Sequence, residues 1–314
     1  MKVKKQKDKK RHYLPAAAIG YFSADTLLEP LRKRLVWVLR KKSDAPRLDK
    51  AENVGFSKQI YGYGKGDLFD VDGYFKAAEP WIHQPVDSII ASIDSWTPAD
   101  DWAKLAWYIT IQITRNPDLE LGAKDLIEGI GWKPNMWGVG SLLNAQRTSA
   151  AVIRARWEFV RSPDRDFILG DRGITGIYVS RWTTNGYFVP LRKNFGVMLG
   201  PAPYKKIVKW SDGSWRIDIP TYTALADVTD QINYGTWHAA RQEIYGPNKE
   251  QLLEIKVLAD SVPPWIQALA PRYEAAQLLG LDLQQRMNDE MLWLKLLFGM
   301  EKPEDTSEIL YLTV

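Results

Sequence analysis

An α+β fold, with a helical lobe packed on a mostly antiparallel sheet and a C-terminal helical extension, is what the order of periodicities in these 314 residues predicts. Three observations carry that prediction. A 3.6-residue apolar period runs through 98–114, and the helical period returns after 224. Between them, 155–219 is a series of short β-branched and aromatic runs separated by turn residues. The strand–helix alternation of a dinucleotide-binding sheet does not occur. Three units follow: a basic flexible arm at 1–11, a single α+β domain at 12–262 and a helical extension at 263–314.

The arm holds six lysines and Arg11 against Asp8. Its local charge of +6 exceeds the whole chain's formal +4, so the body carries −2. Such an arm binds phosphate backbones or anionic lipid through counterion release, or it is a solvated tail. The apolar stretch at 14–22 is broken by Pro15 and Gly20, which argues against a signal peptide. No run of about 18 apolar residues follows. No membrane span and a cytoplasmic location are therefore expected.

Along the body, 35–39 reads as a strand and 41–66 as turn-rich loop. Gly62, Gly64 and Gly66 lack the Lys-Ser/Thr helix start of a phosphate loop. Residues 72–93 read as helix interrupted at Pro80 and Pro85. Thr97 is the expected N-cap of the clearest helix, with Pro98 first inside it and acids in its first turn. Trp102, Leu105, Ala106, Ile109 and Ile113 form one face, Trp107 and Ile111 the other, so this helix should be buried nearly all round until Asn116-Pro117 stops it. Helices near 119–130 and 135–151 follow.

Strands are expected at 155–161, 166–169, 174–182, 187–191 and 196–199, with Thr184-Asn185-Gly186 as a hairpin turn. A further hairpin joins 205–210 to 215–219 through Ser211-Asp-Gly-Ser214. Helices resume at 224–245, 249–260 and, past a Pro263-Pro264 linker, 266–299. The last ten residues read as a short strand or a loose tail.

Composition limits the chemistry. With no cysteine, thiol catalysis, disulfides, iron–sulfur clusters and Cys-based zinc sites are excluded, and with only His12, His83 and His238 a His-rich metal site is not expected. No metal and no cofactor are predicted. Fourteen tryptophans serve as core, their commoner use, or as stacking platforms for bases.

Several segments share an order with a known family. Arg11-His12-Tyr13-Leu14-Pro15 opens the series, and Phe22 and the segment 56–61 follow. Glu79, Ile113-Thr-Arg115-Asn-Pro117, Trp157-Glu-Phe159, Phe167-Ile-Leu-Gly-Asp171, Val189-Pro-Leu191 and Ile232-Asn233…Ala239-Ala-Arg241 complete it. In this order the chain resembles the bacterial domain of unknown function 4238 family over about residues 12–255. It departs where Arg172-Gly173 replaces the family's Asn-Pro. That family brings no assigned activity, so the resemblance implies element order rather than chemistry.

Candidate residues follow from residue type and place. Asp171 ends an apolar strand, where a carboxylate acts as a base or metal ligand, or caps a turn. His12 joins arm to body as a general base or an anchoring hydrogen-bonder. Arg115, at a helix end, grips phosphate or pairs with a carboxylate. Asn233, Trp237 and Arg241 recur every four residues as a polar helix face that needs a buried network or a ligand.

Two functions are expected from these residues. In the first, a bacterial or phage protein acts on nucleic acid, RNA foremost, as a metal-independent nuclease or toxin-like effector. His12 and Asp171 are then the acid and base, and Arg115, Arg241, Lys9, Lys10 and Arg11 hold phosphate. In the alternative, the chain is a non-catalytic interaction or assembly module that docks a protein partner or a second copy through 263–314, with Leu278, Leu279, Leu281, Leu283, Met287, Met291, Leu294 and Leu297 on the buried face.

Overall fold

The computed structural model describes residues 11–24, 29–57, 76–77, 79–92, 96–115, 137–179, 184–200, 206–261 and 311–313. β1 (Arg11–His12) leads into α1 (Ala16–Gly20), and β2 (Leu35–Arg40), β3 (Arg47–Lys50) and β4 (Phe56–Ser57) follow. Next come α2 (Gln84–Ala91), β5 (Thr97–Pro98), α3 (Ala99–Thr114) and α4 (Trp137–Arg154). The β block comprises β6 (Arg156–Arg161), β7 (Leu169–Gly170), β8 (Thr175–Val179), β9 (Thr184–Arg192), β10 (Phe195–Gly200), β11 (Lys206–Lys209), β12 (Trp215–Asp218) and β13 (Thr221–Thr223). α5 (Ala226–Ala239), β14 (Glu243–Gly246), α6 (Lys249–Ser261) and β15 (Tyr311–Thr313) close the order. The fold is α+β, as the change of period predicts.

Two sheets organise the body. One has the strand order β13-β6-β10-β9-β8, antiparallel except where β13 runs parallel to β6. The other is antiparallel throughout, in the order β3-β2-β14-β7. Alternate residues of the first sheet enter different cores, because successive strand side chains point to opposite faces. Trp157, Phe159, Val197 and Leu199 pack with Leu105 and Ile109 of α3. Val160, Phe188 and Met198 pack with Val36, Val38 and Tyr245 from the second sheet. A third cluster joins the opposite face of that second sheet, Leu39 and Ile244, to Trp237 of α5 and Leu252 and Ile255 of α6. Both sheets are thus covered on both faces.

The helix α3 is buried over most of its circumference, as expected from its two apolar sides. Leu105 and Ile109 face the first core, while Gln112 donates from Nε2 to the Tyr13 carbonyl at 3.2 Å. Its start differs by one residue from the sequence reading. Thr97 is no N-cap: its backbone lies opposite Ile217 in the β12 ladder, and Pro98 has the extended φ −57°, ψ 131° that precedes a helix. The strand pairing captures the residue that would otherwise have capped.

Other expectations are corrected by pairing between distant segments. Residues 243–246 form a strand, not the end of a helix, because β2 and β7 supply ladders on both of its sides. Thr184, Asn185 and Gly186 lie inside β9 opposite Val179, Tyr178 and Ile177, so they are not the turn. Lys193-Asn194, between β9 and β10, is a tight turn that the sequence reading passed over. Within the stretch read as loop, β3 is an edge strand on β2. The strand expected at 166–169 is reduced to its end, since the Asp166 carbonyl and the Ile168 N–H bond to the Asn233 and Gln251 side chains instead of a ladder.

The β11–β12 hairpin forms as expected, with Lys206 opposite Asp218. The chain's last strand, β15, adds parallel to β11. The arm at 1–10, the glycines at 62–66 and the helices expected at 119–130 and 266–299 lie outside the described residues.

Gly20 ends α1 against the backbone of Leu31, where an added Cβ would fall 2.0 Å from the carbonyl oxygen. Gly176 in β8 meets nothing within 4 Å. Gly20→Ala is expected to destabilise the fold by about 2 kcal/mol or more, and Gly176→Ala by next to nothing, in paired urea denaturation curves. Equal midpoints for the two variants would refute the close approach.

Candidate functional site

The end of β2, the start of β14 and the end of β7 meet at one edge of the second sheet. Arg40 lies opposite Glu243 in the ladder, and the Lys41 N–H continues it to the Gln242 carbonyl at 2.9 Å. From β7 the chain enters a turn closed by Gly173 N–H on the Gly170 carbonyl, with Gly173 at φ 70°. Asp171 is in that turn, 6% exposed. Its Oδ1 accepts the Arg241 N–H at 2.6 Å, and its Oδ2 accepts those of Gln242 at 2.7 Å and Glu243 at 3.1 Å. Burial pushes this carboxyl above its ordinary range, while the three N–H donors and Arg172 pull the other way.

Of the two readings of Asp171, the geometry favours the cap. Both oxygens already serve three backbone donors of the loop joining α5 to β14. Arg241 belongs to that loop and not to the helix, because α5 ends at Ala239. Its side chain is exposed. The polar helix face is a buried network: Asn233 is fully buried, with Oδ1 accepting the Ile168 N–H and Nδ2 donating to the Asp166 carbonyl, each at 2.9 Å. Trp237 is buried in the third core, with the Lys41 ammonium 5.9 Å from its ring centre.

Outside this junction exposed arginines and lysines lie among paired acids. Arg40 donates from Nε to Glu243 Oε1 at 2.8 Å, and the guanidinium of Arg47 lies 3.9 Å from the same oxygen. Tyr245 donates its hydroxyl to the other Glu243 oxygen at 3.1 Å. Glu243 is buried, whereas the Arg40 side chain is 61% exposed and that of Arg47 44%. Glu243 therefore holds Arg40, while Arg47 is held by Asp49 and only approaches the same acid. Lys42, exposed beside them, makes no ion pair among the described residues. Val38, Arg40, Lys42, Ser43, Ala45 and Arg47 line an open groove of about 380 Å³. Asp49 is paired to Arg47 and Asp44 to Lys256, so the nearest acids are engaged.

His12 lies opposite Phe56 in the β1–β4 pair, with the rings edge-on at 5.7 Å. Its neighbour Tyr13 reaches toward the junction, its hydroxyl 3.5 Å from that of Tyr245. Burial, then the nearby Asp171 and Glu243 carboxylates, push the Tyr13 phenol well above its ordinary value. Arg115 is 1% exposed and donates to Glu79 at 2.9 Å, so it bolts a helix end to the 3-10 turn at Glu79–Ile82. That burial removes it from any phosphate in solvent. Arg11 lies opposite Ser57, while Lys9 and Lys10 lie outside the described residues.

A second polar tie escaped the sequence reading. Arg192 stacks on Tyr21 with its central carbon 3.3 Å from the ring centre, and it donates to Asp87 and to the carbonyls of Ile82 and Leu191. The Tyr21 hydroxyl and His83 Nδ1 are 2.6 Å apart. No spacing in the sequence links residues 21, 83 and 192. Among the described residues, no group of three or more His, Asp or Glu is placed to hold a metal ion, and no helix is long and apolar enough to cross a membrane. No protein-family model matches the chain, and no curated protein or solved structure gives a significant match.

Two tests follow. Asp171→Ala strands three N–H groups and is expected to cost roughly 2–4 kcal/mol in urea denaturation, where loss of a purely catalytic acid would leave stability unchanged. The second concerns His83 and His238. Burial lowers both below their ordinary 6.5, aided by Arg192 at His83 and Lys41 at His238. Below pH 6.5 the unfolded chain binds protons that the folded chain refuses. The stability tied to these rings is thus complete above that pH and lost as pH falls. The pH-dependence of Tm between about 5 and 7 should flatten in the His83→Gln/His238→Gln double variant.

Proposed function

We propose that this chain is a cytoplasmic RNA-binding protein that grips phosphates in the groove between Arg40, Lys42 and Arg47, with the basic arm adding affinity. The observation that carries this reading is the fixed pair of arginines: Glu243 orients Arg40 and Asp49 orients Arg47, so little side-chain entropy is lost when an anion docks. Residues 1–11 contribute +6 of sequence-independent attraction. The reading assigns no bond cleavage to Asp171, whose oxygens are occupied by the backbone. It does not need 263–314 as a docking segment either, since Tyr311–Thr313 pairs with the chain's own β11.

The deciding experiment is a gel shift of end-labelled structured RNA at low and moderate salt. It compares the full chain, a chain without 1–11, and Lys42→Ala/Arg47→Ala, with Arg40 kept so that Glu243 stays paired. The full chain should shift the RNA at low salt and lose affinity steeply as salt rises. The double variant should bind roughly tenfold more weakly, with a salt slope lower by about 0.7–0.9 per phosphate contact removed. Wild-type affinity and slope in that variant would refute the groove. Intact RNA is expected in every lane, and cleavage abolished by His12→Ala would restore the nuclease reading.

A further inference from the structure

We propose that the β11–β12 hairpin is a base-stacking platform that selects single-stranded over double-stranded RNA, an inference that rests on the RNA-binding reading. Of the chain's tryptophans, Trp102, Trp157 and Trp237 are buried in the cores, as large aromatic rings usually are. Trp210 and Trp215 are not. They flank the hairpin turn, 40% and 41% exposed.

The turn is built without the rings. Trp210 N–H donates to the Ser214 carbonyl at 2.8 Å, Gly213 N–H donates to the Trp210 carbonyl at 2.9 Å, and Gly213 adopts φ 84°. Asp212 accepts the Ser214 N–H and hydroxyl at 2.8 and 2.6 Å, which closes the loop from inside. The base of the ribbon is equally fixed. Ile217 is buried in the first core, Val208 is buried, and β5 and β15 flank the pair. The part-exposed indoles thus stand on a rigid support.

Each indole also has a cation of its own. The Arg216 guanidinium carbon lies 4.5 Å from the ring centre of Trp210, and the Lys209 ammonium lies 5.9 Å from that of Trp215. Lys209 is directly opposite Trp215, whereas Arg216 is opposite Val208, so the two pairs occupy opposite faces of the ribbon. Residues 205–218 hold four cations against two acids, and one of those acids, Asp212, is tied into the turn and lies 3.7 Å from Arg216.

An aromatic face beside a phosphate-seeking cation is the recognition unit for an unpaired base and its backbone. Bases in a duplex are already stacked on one another and hidden from such a ring. The partner that fits is therefore a single-stranded segment flexible enough to pass around the hairpin, with one base on Trp210 and another on Trp215 from opposite faces and phosphates near Arg216 and Lys209.

Fluorescence anisotropy on the full chain tests this, with a labelled single-stranded 12-nucleotide RNA and a duplex of the same length as probes. Trp210→Ala, Trp215→Ala, Trp210→Phe and Trp215→Phe are compared, and circular dichroism melts check that the fold is intact. The single strand should bind at least about tenfold tighter than the duplex. Each Ala variant should lose roughly five- to tenfold on the single strand alone, and each Phe variant should recover most of it. Wild-type affinity in both Ala variants, with loss in Lys42→Ala/Arg47→Ala, would overturn the stacking role and leave the groove standing. An equal loss on both probes would overturn the single-strand preference. No binding of either probe by the full chain, with or without capture by anionic vesicles, would overturn both readings.

Discussion

The Asp171 carboxylate, bonded to three successive backbone N–H groups at 241–243, is the constraint on which the second sheet depends. The connection between a helix end and a buried strand carries N–H groups that neither the helix nor the ladder accepts. Here one side chain takes them all, and the Asp171 N–H returns a bond to the Glu243 carbonyl at 3.0 Å. The exchange sets where β14 begins and fixes its register between β2 and β7. That register places Tyr245 in the second core and Ile244 in the third. The burial of a charged group, unfavourable by itself, is offset by charge-assisted bonds that no neutral side chain of that size supplies.

The same register decides which cations are structural and which face solvent. Arg115 and Arg192 are buried and committed to carboxylates and carbonyls, so they act as bolts between helices, 3-10 turn and sheet. Arg40 is brought opposite Glu243 by the ladder, and its guanidinium is oriented outward by an acid it covers. Groups of like chemistry thus differ in role through burial alone. A buried guanidinium must have its partners supplied by the protein, whereas an exposed one held at its inner edge keeps its outer edge available to a phosphate. The hairpin tryptophans follow the same logic in apolar form, since their backbone is anchored and their rings stay part exposed.

Where local chemistry sufficed, the sequence was readable. The span of α3 follows from its period and its terminal prolines, and the β11–β12 hairpin from Ser211-Asp-Gly-Ser214, because both are held by contacts within a few residues. The polar face of α5 was legible as a need for partners, which proved to be the backbone at 166–168. Glu243-Ile-Tyr-Gly246 was not legible as a strand, for its two ladder partners lie some 70 and 200 residues away. The Tyr21–His83–Arg192 tie was invisible for the same reason.

The sequence by itself determined the α+β class, the segregated +6 arm, the absence of thiol chemistry and the elements stabilised by near neighbours. The tertiary structure alone decided that Asp171 caps a helix-to-strand passage, that Arg115 is a buried bolt, that Arg40 and Arg47 share a groove, and which tryptophans are exposed. Residue type fixes what a group can do. Burial and the partners brought to it across the chain fix what it does, because the free energy of a charge or an indole depends on its surroundings more than on its neighbours in sequence.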